Sequence, residues 1–106
     1  MKLLIITAIN AFQKDVKNIL KNAGIQTYSF KEVTGYKDIS DQSIGSNWFA
    51  SELNETESVL FFAFTENEVV NQVFDLINEF NQQQEALSQI HIAVVEIAQS
   101  NQSTLK

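Results

Sequence analysis

The sequence predicts an α+β fold with elements in the order β-α-β-β-α-β: a four-stranded antiparallel sheet carrying two helices on one face. Three observations lead there. Four short runs rich in aliphatic, β-branched and aromatic residues have strand length. Two longer stretches between them repeat their apolar residues at helical spacing. The chain has 106 residues, enough for one core, so a single domain over 1–106 is expected.

The first strand is the apolar run from Lys2 to Ile9. Met1-Lys2 before Leu3 to Ile6 imitates the start of a signal peptide, but Asn10 ends the stretch and no small-residue cleavage site follows. No apolar run approaches the roughly 20 residues that cross a bilayer. A cytoplasmic protein without membrane insertion is therefore expected. From Phe12 the period changes: Phe12, Val16, Ile19, Leu20 and Ala23 form one helical face, with Lys14, Lys17, Asn18 and Lys21 opposite. Gly24 stands where a left-handed residue closes a helix. Ile25 to Val33 reads as the second strand.

Thr34 to Thr56 is polar and weakly patterned, with Gly35, Gly45, four serines and two asparagines. A loop that long in a compact domain is usually functional. Ser58 to Thr65 is the third strand, and Thr65-Glu66-Asn67-Glu68 has the form of a capping box. Val69, Val70, Val73, Phe74, Leu76, Ile77 and Phe80 give the second helix its apolar face, which fades from Asn81 to Glu85. Ile90 to Ile97 is the fourth strand, and 99–106 a polar tail.

Right-handed crossovers put both helices on the same side of the sheet, the ferredoxin-like arrangement. A sheet with one wet face should alternate apolar and polar residues. The first strand does not: Leu3, Ile5 and Ile9 lie on one side, and Leu4, Ile6 and Ala8 on the other. Nor does the third, where Val59, Phe61 and Ala63 oppose Leu60, Phe62 and Phe64. Two helices can cover one face only. The other is expected to be closed by further copies of the chain or by a partner.

Thirteen acidic residues against seven basic ones give a net charge of −6, and every basic residue is lysine. Such a balance repels phosphates on average and argues against nucleic acid as a partner. Without cysteine, disulfides, thiolate metal sites and cysteine nucleophiles are excluded. Dinucleotide-binding, Walker and nucleophile-elbow motifs are absent, so no enzyme is expected. His91, the sole histidine, would need Asp38 or Glu96 beside it to act as a base. Glu66 and Glu68 suit a helix start. Glu52, Glu55 and Glu57 with Asp38 and Asp41 match no metal-loop spacing, so no metal site is assigned. Trp48 and Phe49 are large aromatics inside the polar loop, either anchors that fold back or contacts for a partner.

From Ala11 to Tyr36 the sequence resembles the nitrogen regulatory protein PII family. The likeness rests on Asp15-Val16 and Leu20 in the helix, the turn Gly24-Ile25, and Glu32-Val33 before Gly35-Tyr36. The family reads Glu-Val-x-Gly-Phe there, ahead of its long T-loop, to which 34–56 would correspond. The resemblance implies signal transduction by a homotrimer whose sheets face inward and whose small effector binds in clefts between subunits. The loop would then regulate a target protein such as a transporter or an enzyme. Carried over, the effector-binding positions are Ser29, Gly35, Tyr36, Lys37 and Asp38, with Trp48 and Phe49 facing the target. This chain departs from the family at Lys37-Asp38-Ile39, where Gly-x-Gln is usual. It also departs at 81–89, which lack the family's glycine and lysine, and near Glu96, where arginines are usual. Each change removes a hydrogen-bond or charge donor that would hold phosphate. What the resemblance implies is thus a divergent member with no certain cofactor and weak or absent ATP binding. An alternative is a metal-associated trimer similar to the copper-tolerance (CutA-like) proteins of the same architecture.

Overall fold

The computed structural model describes residues 1–36, 55–84 and 88–101. Strand β1 (Lys2–Ile9) leads through a 3₁₀ turn (Asn10–Phe12) into α1 (Gln13–Asn22). Then come β2 (Ser29–Tyr36), β3 (Glu55–Thr65), α2 (Asn67–Gln83) and β4 (His91–Glu96). The four strands form one antiparallel sheet in the order β2-β3-β1-β4. This is the α+β, ferredoxin-like arrangement that the element order predicts.

Helix α1 ends as its glycine requires. Gly24 has φ +86°, and the Ile25 and Gly24 amides donate to the Leu20 and Lys21 carbonyls at 2.9 and 3.0 Å. Together these close a Schellman turn. Ile25 and Leu20, the apolar pair that accompanies such a turn, are both in the core. Ile25 is therefore part of the helix stop, and β2 begins at Ser29 rather than at the expected Ile25.

The loop expected over 34–56 is shortened at both roots. Thr34, Gly35 and Tyr36 pair with Glu57, Thr56 and Glu55, so the β2–β3 ladder runs on past the apolar residues. Polar residues there are compatible with pairing because backbone groups, not side chains, hold the ladder.

The expected capping box does not form. Thr65 stays in register opposite Lys2, and its hydroxyl donates to the Glu66 carbonyl at 3.5 Å. Glu66 becomes the N-cap with no side-chain bond to the helix, while Glu68 sits in the first turn. There its charge favours the positive helix end.

The core lies between the helices and one sheet face. Leu4, Ile6, Val59 and Phe61 point from the sheet to Val16, Leu20, Val73 and Ile77. Fully burying each such side chain is worth roughly 1.5–3 kcal/mol. Phe12 meets Phe80 edge to face at 5.1 Å, and Gln72 Nε2 donates to the Asn22 carbonyl at 3.4 Å. The first contact sets the start of α1 against the end of α2. With the second, it fixes the two helices side by side and antiparallel.

Candidate functional site

The strand register assigns each residue to a face. Phe30 stacks on the buried Phe61, at 5.3 Å between centroids, and the Lys17 ammonium lies 4.3 Å from the outer Phe30 ring. Phe30 therefore belongs to the helix side, and its neighbours Ser29 and Lys31 to the other. On that second, open face Phe64, Leu3 and Val95 form one cross-strand row, and Ser29, Phe62, Ile5 and Ala93 the next. Beyond them come Lys31, Leu60, Thr7 and His91, then Val33, Ser58 and Ile9.

This face is divided along its length. At the end near Leu3 it is apolar and uncovered: Phe62 is 40%, Phe64 52% and Val95 42% exposed. Toward the end of β2 it turns polar and buried, with Thr7, Ser58 and Gly35 shielded from solvent. Thr7 Oγ1 and Thr56 Oγ1 are buried there without a hydrogen-bond partner. Such orphan hydroxyls carry a desolvation cost of roughly 1–3 kcal/mol each. Sequence reasoning passed over both. The available signal was Thr7, the one polar residue interrupting the apolar run from Leu3 to Ile9.

The residues expected at the effector site separate along one strand. Ser29 opens β2 opposite Phe62, exposed on the open face. Gly35 lies near the other end of the same strand, buried opposite Thr56, on the same face by parity. At about 3.3 Å per residue the two stand roughly 20 Å apart. Tyr36 follows, 61% exposed and on the helix side by parity, opposite Glu55. Within one chain the structure thus groups Gly35 with Tyr36 and leaves Ser29 distant. Lys37, Asp38, Trp48 and Phe49 lie outside the described residues, as do Asp41 and Glu52.

His91 lies on the open face beside Thr7, whereas Glu96 ends β4 on the opposite side, so that strand does not bring the two together. Glu96 is engaged by Lys2, which donates a hydrogen bond to its carboxylate. That bond, with the lysine's charge, holds the Glu96 carboxyl below its ordinary range. Among the described residues, no group of three or more His, Asp or Glu side chains is placed to hold a metal ion. No described helix is long and apolar enough to cross a membrane.

No protein-family model and no curated protein matches the chain. Among solved structures it is similar to CPII, a nitrogen regulatory PII-like protein from Thiomonas intermedia K12, bound to ADP, AMP and bicarbonate. The similarity has a TM-score of 0.57 at 18% identity and covers 91% of this chain and 92% of that one. At that identity it establishes a shared PII-like fold.

Proposed function

We propose that the chain is a PII-like regulatory protein: a homotrimer that binds a small effector between subunits and controls a partner protein through 34–56. The observation that carries this reading is the apolar sheet face without a helix over it, half-buried at Leu3, Ile5 and Leu60 and exposed at Phe62, Phe64 and Val95. A soluble domain gains by burying such a surface, and inward-facing sheets of identical chains would do so. The trimeric number comes from the resemblance, and the shared fold supports it.

An effector site between subunits also suits the spacing along β2. Ser29 and Gly35 are too far apart to meet one small molecule within a chain, but a cleft between two chains can combine the ends of two strands. Lys37 would supply the cation and Asp38 a polar contact, with Trp48 and Phe49 presented to the target. The similar protein's complex with ADP, AMP and bicarbonate supports testing those molecules first. Adenine nucleotide binding would be weak or absent, because neither lysine nor arginine occurs from 81 to 89 and Glu96 is tied to Lys2. The role is regulatory rather than catalytic, in the cytoplasm, with neither nucleic acid nor membrane insertion.

Light scattering on the purified protein tests the assembly, with three copies of the 12.0 kDa chain expected. A monomer at micromolar concentration would overturn the reading. A thermal-shift panel of ATP, ADP, AMP, bicarbonate and divalent metals tests the effector. A ligand at about 100 times its Kd adds roughly 2.7 kcal/mol. A response to metal alone would favour the CutA-like alternative.

A further inference from the structure

The outer surface of the helix layer carries a charge pattern that the reading above leaves unused. Helix α1 has three lysines against one aspartate, while α2 has two glutamates and one aspartate with no basic residue. With about 3.6 residues per turn, Lys14 and Lys21 lie on one line, opposite the buried Val16, Ile19 and Leu20. Glu68, Asp75 and Glu79 form a similar line on α2, opposite Val73 and Ile77. All five are exposed. Lys17 is drawn to the flank, its ammonium on the Phe30 ring. The chain as a whole is strongly acidic, so this lysine stripe is a local exception to its field.

The stripes run side by side because the helices do. Phe12 packs on Phe80 and Gln72 reaches Asn22, so α1 and α2 are antiparallel neighbours in known register. That register puts Lys14 level with Glu79, and Lys21 level with the stretch between Glu68 and Asp75. Among the described residues no ion pair joins the two stripes within the chain.

We infer that the outer face of the helix layer is a second self-association surface, in which the lysine stripe of one copy meets the acidic stripe of another. A two-fold axis parallel to the helices lays α1 of each copy over α2 of the other without changing level along the helices. Lys14 then faces Glu79, and Lys21 faces Glu68 and Asp75, in both directions at once. The contact is isologous, so one helix layer is satisfied by one other, and an assembly built on the sheet face can be linked to others through each of its helix layers. The alternative two-fold, across the helices, sets lysine on lysine and is repulsive. The surface lies on the side of the molecule away from the apolar sheet face, and it is charged where that face is apolar. Salt therefore separates the two, since screening shortens the reach of exposed charges from roughly 30 Å at 0.01 M to 3 Å at 1 M.

Light scattering of the full chain at about 0.02 M and about 0.5 M salt tests this. The mass at low salt should be at least double that at high salt, whatever unit the sheet face sustains. Lys14→Glu with Lys21→Glu should abolish the increase, and so should Glu68→Lys with Asp75→Lys and Glu79→Lys. Mixing the two variants in equal amounts should restore it, because each then meets the opposite charge on both helices. A mass independent of salt overturns the inference, as does a mixture that stays dissociated. A purely intramolecular attraction between the stripes would lower the melting temperature of each variant and give no rescue on mixing.

Discussion

Asn81 and Ile90 hold each other in both directions: Asn81 Nδ2 donates to the Ile90 carbonyl and the Ile90 amide donates to Asn81 Oδ1, each at 2.9 Å. The side-chain amide thereby acts as a strand partner for the backbone entering β4, and it ties that backbone to the last turns of α2. Ile90 is buried, so water is a poor substitute for either bond. Asn81→Ala should cost about 2 kcal/mol, lowering the melting temperature by about 10 °C. Asn81→Asp keeps the acceptor for the Ile90 amide but sets a second carboxylate oxygen against the Ile90 carbonyl, so at neutral pH it should cost at least as much as Asn81→Ala, and part of that should return in acid, where a protonated carboxyl can donate. A melt of Asn81→Ala coinciding with that of the native chain would show that solvent serves both groups.

Gly24 offers a cleaner backbone test. An added Cβ would meet nothing within 4 Å, so steric contact with neighbours does not enter. Its φ of +86° does, because an L side chain rarely adopts that conformation. Gly24→Ala should destabilise by about 1 kcal/mol, and Gly24→Asn by less, since asparagine tolerates left-handed backbone better. Urea unfolding of the three proteins checks the order.

These two positions show which features were legible in the sequence. Gly24 could be read because its role is local: a helical period stops and a glycine follows. The faces of β1 and β3 could be read for a similar reason, since alternation along Leu3 to Ala8 and Val59 to Phe64 needs no knowledge of partners. Asn81 could not, because its partner at Ile90 is set by how the chain returns from α2 to β4. The start of β2 was misplaced at Ile25, whose β-branched side chain suits a strand as well as it suits the apolar half of a Schellman turn. Thr65 looked like a cap, yet its pairing with Lys2 keeps it in the sheet. At the candidate site, the separation of Ser29 from Gly35 follows from β2 being one continuous strand through both, which matching single positions to a family does not convey.

Neighbouring phenylalanines on β3 should respond in opposite ways. Phe61 is buried among Ile6, Tyr28 and Phe30, so Phe61→Ala should cost about 3–5 kcal/mol and leave little folded protein at 37 °C. Phe62 lies on the open face, exposed between Ser29 and Ile5. Phe62→Lys should leave a folded chain, judged by far-ultraviolet circular dichroism, while light scattering at high salt, where the charged helix-layer contact is screened, falls from an assembly to a monomer. An assembly unchanged by Phe62→Lys would mean that the apolar face is not where the copies meet.

The pairing of Lys2 with Glu96 joins the two ends of the described fold and predicts a pH dependence whose sign is fixed. Hydrogen bonding and charge from Lys2 lower the Glu96 carboxyl in the folded chain, so folding favours its ionised form. The resulting stabilisation is present above the ordinary carboxylate range for as long as Lys2 keeps its charge. It is lost as pH falls from that range through the lowered folded value, where the native carboxylate finally takes up a proton. Glu96→Gln should therefore melt slightly below the native protein at neutral pH and converge with it in acid. Because the Glu96 side chain is 84% exposed, the neutral-pH difference should also shrink as salt is added. Melts across pH at low and high salt check both trends. A difference that widened in acid would mean that Glu96 is stabilised by some contact other than Lys2.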